Sequence, residues 1–161
     1  MVRVLIADDS EILRTHLRAL LQLPDWVLCG EASNGRQAVL MASHLKPDVI
    51  VLDFAMAMPM LNGIEAAQEI LKALPSVPIV LYTLHKSPQL ERDAIEAGIR
   101  KVISKGEDSN ALIAGLQELL AVGPTALGPL PSKSSAELAT VPKPVIDLQT
   151  KTPRKPGSSE P

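Results

Sequence analysis

The feature that most constrains the fold is a fivefold alternation of short apolar runs with longer stretches of helical spacing. The apolar runs are rich in Val and Ile and lie at residues 2–7, 26–29, 49–52, 78–81 and 101–104. Between and after them, apolar residues recur every three or four positions at residues 12–21, 36–44, 63–74, 88–97 and from 109 onward. Such alternation predicts βαβ units, and hence an α/β domain with a doubly wound, five-stranded parallel sheet.

Proline divides the chain into a body and a tail. Eight of the 14 prolines follow Gly123. The 39 residues at 123–161 contain too few apolar side chains to bury a core. We therefore expect one folded domain over residues 1–122 and a proline-rich disordered tail over residues 123–161.

Composition argues against several classes of function. The formal net charge is −2, and Trp26, Phe54 and Tyr82 are the only aromatic residues, so neither a basic surface nor a base-stacking platform is expected for nucleic acid. Cys29 is alone, which excludes a disulfide within the chain and a cysteine zinc site. The first apolar run is too short for a membrane span or a signal peptide. We expect a cytoplasmic protein that binds neither nucleic acid nor membrane.

Polar side chains follow four of the predicted strands where each strand ends. Asp8 and Asp9 follow the first strand, Asp53 follows the third, Thr83 the fourth and Lys105 the fifth. The carboxyl ends of parallel strands meet at one edge of a sheet, where such folds bind ligands. Three carboxylates close together repel one another unless a cation neutralises them, and Mg²⁺ suits oxygen ligands of this kind. With a lysine and a hydroxyl available for phosphoryl oxygens, the set predicts a phosphoryl-transfer site.

At these five positions the sequence resembles the receiver domain of two-component response regulators, with the family's usual spacing between them. The resemblance covers residues 2–122, and residues 26–36 are also similar to the receivers that are usually joined to a helix-turn-helix DNA-binding domain. It implies a flavodoxin-like (βα)5 fold in a single-domain member. Because the tail is short and rich in proline, we expect the output to lie on another molecule.

The resemblance implies a phosphoacceptor and a metal site. Asp53 would accept a phosphoryl group from a histidine kinase. Asp8, Asp9 and Asp53 would bind Mg²⁺, with Asp8 acting through water and with the backbone carbonyl of Ala55 as a further ligand. Catalysis would then consist of positioning and charge neutralisation.

The resemblance also implies residues that respond to the phosphoryl group. Lys105 would pair with it and Thr83 would form a hydrogen bond to it. His85, two residues after Thr83, would tune the hydrolysis of the acyl phosphate. Val102 stands where the family usually has Tyr or Phe, so we do not expect a signal carried by rotation of an aromatic ring.

The loop after the nucleophile departs from the family pattern. Ala57 and Met58 are inserted after Met56, and Gly63 therefore comes two residues later than usual. We expect the insertion to form a bulge after Met56 and the Mg²⁺ site to be preserved.

Three functions remain open at this point. The first is a receiver that is phosphorylated by a sensor histidine kinase or a phosphotransfer protein and regulates a downstream effector protein, without enzymatic activity beyond its own phosphotransfer and slow dephosphorylation. Homodimerisation on phosphorylation stays open for it. The second is a receiver-fold interaction module that works without phosphorylation. The third, ranked last, is a hydrolase with Asp53 as nucleophile, because Ala55 stands where the haloacid-dehalogenase type needs a second Asp.

Overall fold

A computed structural model describes residues 1–57 and 61–126, with side chains as far as residue 123. From residue 127 onward, the predicted disordered tail lies outside the described residues. The elements in chain order are β1 (Val2–Ala7), α1 (Glu11–Leu20), β2 (Trp26–Ala32), α2 (Gly35–Leu45), β3 (Val49–Leu52), α3 (Gly63–Ala73), β4 (Ile79–Thr83), α4 (Pro88–Glu96), β5 (Lys101–Ser104) and α5 (Ser109–Ala126).

The five strands form one parallel sheet in the order β2-β1-β3-β4-β5. Each parallel pair requires a crossover connection, and the helices predicted from the periodicity provide them. The register places Ala7 beside Leu52 and Thr83 beside Ser104, so these strands end at a common edge. The predicted doubly wound α/β fold with a five-stranded parallel sheet is confirmed.

Helices cover both faces of the sheet. Helices α1 and α5 share one buried cluster with alternate strand residues, including Leu17 and Leu116. Helices α2, α3 and α4 share the other cluster, which contains small residues such as Ala38 and Ala67 that let the helices approach the sheet closely. Every residue of β3 and β4 is buried, because strands covered on both faces have no solvent side.

Strand β2 continues past the predicted run at residues 26–29 and includes Gly30, Glu31 and Ala32. The register shifts between Val4 and Leu5, which pair with Leu28 and Gly30 and leave Cys29 as an irregularity on this edge strand. A Cβ at residue 30 would lie 2.7 Å from a methyl carbon of Leu45 and 3.1 Å from one of Leu5. Glycine is therefore explained by close packing under α2.

The helix starts follow the expected capping chemistry. The Ser10 hydroxyl accepts a hydrogen bond from Leu13 N and caps α1. Asn62 and Glu65 form a capping box at the start of α3. Helix α5 is interrupted at Gly123, where φ is +69°, a conformation that glycine adopts without strain.

Ile12 belongs to the apolar pattern at residues 12–21 that predicts α1, but its side chain is 82% exposed and does not lie on the buried face. Residues four apart on a helix share a face, and Ile12 lies above His16, which is also exposed. Leu17, Leu20 and Leu21 pack into the core instead. No helix within residues 1–57 and 61–126 combines the length and the apolar character needed to cross a membrane.

Candidate functional site

The sheet register brings Asp8 and Asp53 side by side. Each follows directly on its strand, and Asp53 N donates a 2.8 Å hydrogen bond to Ala7 O, so the two strands stay paired to their ends. Asp8 N in turn donates to Ala32 O at 3.1 Å on the other neighbouring strand. The predicted meeting of these carboxylates at one edge therefore results from backbone hydrogen bonds.

Three carboxylates form a compact acidic cluster at this edge. Asp8, Asp9 and Asp53 each offer an oxygen within 4.8 Å of those of the other two. Asp8 and Asp53 are buried, whereas Asp9 is exposed. Hard oxygen donors with one side open to solvent suit Mg²⁺, which keeps several water ligands. The donor set thus fits a magnesium ion.

The ammonium group of Lys105 lies between the two buried carboxylates. Its Nζ is 2.6 Å from Asp8 Oδ2 and 3.0 Å from Asp53 Oδ2, and only 4% of the side chain is exposed. The same Nζ lies 5.9 Å from the centroid of the Tyr82 ring, within the range of a cation–π interaction. One ammonium cannot balance three carboxylates, so the charged groups that line the site leave it negative and attractive to a divalent cation.

Burial raises the pKa of the Asp53 carboxyl above its ordinary value, because desolvation disfavours the ionised form. The ammonium of Lys105 opposes this shift by charge and by hydrogen bonding, whereas the charge of Asp8 adds to it. The ionised form of Asp53 therefore depends on Lys105.

An open cavity of about 290 Å³ gives access to these groups. It is lined by the predicted residues Asp8, Asp9, Asp53, Ala55, His85 and Lys105, and also by Ser10, Leu13 and Leu84. A larger groove of about 400 Å³ lies beside the start of β4 and the end of α5, and its lining is mostly apolar. Volume alone would favour the second groove, but only the first one contains the groups for phosphoryl chemistry.

Thr83 was predicted to contact the phosphoryl group, but it does not line the cavity. Its side chain is buried, and Thr83 Oγ1 accepts a 3.2 Å hydrogen bond from His85 N. Its carbonyl oxygen accepts a hydrogen bond of 2.8 Å from Lys105 N, which joins the ends of β4 and β5. Because the Thr83 hydroxyl accepts the bond from His85 N, its own proton remains available for donation to a phosphoryl oxygen.

The loop after Asp53 is fixed at its base. Gly63 N donates a 3.0 Å hydrogen bond to Phe54 O, and a Cβ on Gly63 would lie 2.3 Å from Asp53 O. Ala55 is exposed, Met56 is buried and Ala57 is exposed again. The predicted bulge extends to Met58, which lies outside the described residues.

Val102 is 8% exposed and pairs with Leu81 in the sheet, within the core shared with α2, α3 and α4. A buried aliphatic side chain therefore stands where the family usually has an aromatic residue that can rotate.

Besides the cavity-lining Leu13 and Leu84, three polar residues around Asp8 were not found by sequence reasoning. Ser10 N donates to Asp8 Oδ1 at 2.9 Å, and Arg14 Nη1 donates to the Asp8 carbonyl oxygen at 2.7 Å. Glu31, near the end of β2, lies 3.8 Å from Arg14 Nε. The only signal in the sequence for Arg14 was its position one turn into α1, close to Asp8. The contact between Glu31 and Arg14 could be inferred only from the strand order, which places β2 next to β1.

Comparison with known proteins agrees with this geometry. The family model of the response regulator receiver domain matches residues 4–117. The chemotaxis protein CheY of Thermotoga maritima is 33% identical over 117 residues, which cover 73% of this chain and 96% of CheY. The transcriptional regulatory protein YdfI of Bacillus subtilis is 35% identical over 113 residues, which cover 70% of this chain but only 52% of YdfI.

A solved structure gives the same result for the fold. The crystal structure of a LuxR-family two-component response regulator from Aurantimonas sp. superposes with a TM-score of 0.72 at 26% identity, and the match covers 75% of this chain and 86% of that one.

Proposed function

Because the chain belongs to the response regulator receiver domain family, we propose that it accepts a phosphoryl group on Asp53 and thereby regulates a partner protein. The donor would be a sensor histidine kinase or a phosphotransfer protein in the cytoplasm. The observation that carries the proposal is the contact of Lys105 Nζ with both Asp8 and Asp53, next to an open cluster of three carboxylates.

The acidic cluster supports a requirement for Mg²⁺. Asp8, Asp9 and Asp53 would hold the ion, with the carbonyl of Ala55 as a further ligand because Ala55 lines the same cavity. The bound ion would neutralise the carboxylates and the incoming phosphoryl oxygens, a charge that Lys105 alone cannot balance. The buried Met56 and the hydrogen bond at the base of the loop favour an unshifted Ala55 despite the insertion.

The transfer step follows from the position of Asp53. A carboxylate oxygen of Asp53 attacks the phosphorus of a phosphohistidine, a P–O bond forms, and the P–N bond breaks with its electron pair leaving on the imidazole nitrogen. The transition state is loose, so the protein contributes mainly position and charge. The ammonium of Lys105 would move from the Asp53 carboxylate to a phosphoryl oxygen, because the flexible lysine side chain can reach both.

Thr83 would report the modification to the surface. A phosphoryl group on Asp53 offers acceptor oxygens at the mouth of the site, and the Thr83 hydroxyl could donate its proton to one of them while it still accepts from His85 N. This contact would draw in the loop after β4, which carries the exposed Leu84. His85 lines the cavity and would influence how fast water reaches the acyl phosphate.

A receiver-fold module that works without phosphorylation is the second candidate. It is favoured by Val102, which has no ring to rotate between buried and exposed positions. In that case the acidic cluster would keep only its metal-binding and structural roles.

Incubation with acetyl phosphate and Mg²⁺ followed by intact mass spectrometry tests the proposal. The native chain is compared with Asp53→Ala and with Asp93→Ala, a matched control for an exposed carboxylate on α4. We expect a mass increase of one phosphoryl group on the native chain and on Asp93→Ala, and none on Asp53→Ala. Absence of an adduct on all three proteins would favour the second candidate, and an adduct on all three would exclude Asp53 as the acceptor.

A further inference from the structure

The exposed member of the acidic cluster is held only by its backbone. Within residues 1–57 and 61–126, the Asp9 carboxylate has no hydrogen-bond or ion-pair partner, whereas Asp8 and Asp53 are both fixed by Lys105. The direction of the Asp9 side chain therefore depends on the peptide that joins Asp8 to Asp9.

The backbone of Asp8 is anchored to strand β2 on both sides of its Cα atom. In the peptide before it, Asp8 N donates directly to Ala32 O at 3.1 Å. On the other side, Arg14 Nη1 donates to Asp8 O at 2.7 Å, and Arg14 Nε lies 3.8 Å from Glu31 Oε2. Since Glu31 and Ala32 are the last two residues of β2, both anchors lead to the same strand end.

Glu31 is itself fixed in position. Arg18 donates to its two carboxylate oxygens at 2.6 and 2.8 Å, a bidentate pair with defined geometry. The Arg14 side chain is largely buried, at 17% exposure, whereas the Arg18 side chain is half exposed. The chain of contacts thus runs from an exposed arginine through Glu31 to Arg14 and ends on the carbonyl group that precedes Asp9.

We propose that Arg14 is a positioning residue for the magnesium site. By holding the Asp8 carbonyl oxygen, it fixes the Asp8–Asp9 peptide plane and directs the Asp9 carboxylate toward the position of the ion, with Glu31 as its anchor. This inference rests on the proposed function, because it assigns Arg14 to the metal site of that function.

Charge and positioning predict opposite effects when Arg14 is replaced. Arginine brings a positive charge close to the acidic cluster, so its removal should strengthen Mg²⁺ binding if electrostatics alone mattered. Loss of an outer residue that orients metal ligands instead weakens affinity, often by a factor of about 10 to 100. The sign of the change therefore distinguishes the two roles.

The test is a titration of the full chain with Mg²⁺, followed by amide chemical shifts at the site. Arg14→Gln is compared with the native chain and with Arg92→Gln, which removes the same charge from an exposed position on α4 and takes no part in the contacts around Asp8. We expect the Mg²⁺ dissociation constant to rise about 10-fold in Arg14→Gln and to stay unchanged or fall in Arg92→Gln. Thermal unfolding in chelator verifies that both variants are folded.

An unchanged or lower dissociation constant in Arg14→Gln would overturn the inference while leaving the proposed function intact, provided that the native chain binds Mg²⁺ and gains the acetyl phosphate adduct. A native chain without either property would overturn both. If Arg14→Gln does not fold, Arg14→Lys decides the matter. It keeps the charge but lacks the planar fork that spans Asp8 O and Glu31, so it should bind Mg²⁺ more weakly than the native chain, and equal affinity would contradict the role.

Discussion

Replacement of Asp53 by Asn should stabilise the protein when no divalent cation is present. Asp53 is a buried carboxylate that shares Lys105 with a second buried carboxylate, Asp8. Asn at this position keeps the size of the side chain and leaves Lys105 and Asp8 as a balanced pair. The Asp53 carboxylate would thus bind the metal ion at the cost of a lower stability of the metal-free protein.

The size of the effect follows from the distances at the site. With an effective dielectric constant of about 20, the Lys105–Asp53 contact at 3.0 Å contributes about 5.5 kcal/mol of attraction. The Asp8 oxygen within 4.8 Å of Asp53 contributes at least about 3.5 kcal/mol of repulsion, and desolvation of the Asp53 carboxylate costs about 4 kcal/mol. The balance is at least about 2 kcal/mol against the ionised Asp53, and Asp53→Asn should recover this amount.

The effect has a defined dependence on pH. Burial raises the pKa of Asp53 in the folded state above its unfolded value of about 3.9. The unfolded chain therefore releases this proton first, and the native protein loses stability as the pH rises from the unfolded pKa to the folded one. Asn carries no such proton, so the advantage of Asp53→Asn should grow across that window and stay constant above the folded pKa.

Urea unfolding at neutral pH in chelator, followed by circular dichroism, measures the difference. Glu69→Gln, at an exposed carboxylate paired with Lys72 on α3, is the control and should change the free energy of unfolding by less than about 0.5 kcal/mol. Saturating Mg²⁺ should narrow the gap, because it stabilises the native chain by binding and Asp53→Asn less so. An Asp53→Asn protein that is less stable than the native chain in chelator would refute this reasoning.

Two further substitutions test the packing that supports the site. Gly63→Ala should cost at least about 2 kcal/mol of stability and shift the amide resonance of Asp53, because the new Cβ would lie 2.3 Å from Asp53 O. The control is Gly106→Ala, whose new Cβ would have its nearest atom at 3.5 Å, and it should cost less than about 0.5 kcal/mol. Equal losses in the two would contradict the close contact. Leu116→Ala should cost about 3 kcal/mol because Leu116 is fully buried, whereas Val122→Ala, at 45% exposure, should change stability by less than about 0.5 kcal/mol in the same urea assay.

Much of the fold could be predicted because the local pattern and the tertiary environment agree. Val49–Leu52 reads as a strand covered on both faces, and all four residues are buried. The predicted bounds of most elements differ from the structure by about one or two residues, which is within the usual uncertainty of helix and strand ends. The predicted run at residues 26–29 stops before Gly30, whereas β2 continues through it, because glycine there leaves room for the side chains of Leu45 and Leu5.

The site could be predicted only in part. Asp8, Asp53 and Lys105 follow directly on predicted strands, so their meeting at one edge could be inferred from the parallel sheet. The hydroxyl of Thr83 and the guanidinium of Arg14 could not be placed in this way. Their roles depend on side-chain direction and on contacts between elements, which periodicity does not contain.

The sequence by itself determined the order of strands and helices and the residue that stands at each strand end, because hydrophobic periodicity and turn residues act over a few positions. Only the tertiary structure decided that Asp8 is buried and Asp9 exposed, and that Lys105 bridges Asp8 and Asp53. Lys105 and Asp8 are 97 residues apart in the chain but 2.6 Å apart at their charged atoms. Such a distance is set by the strand order β2-β1-β3-β4-β5 and by packing on both faces of the sheet, which are properties of the whole folded chain.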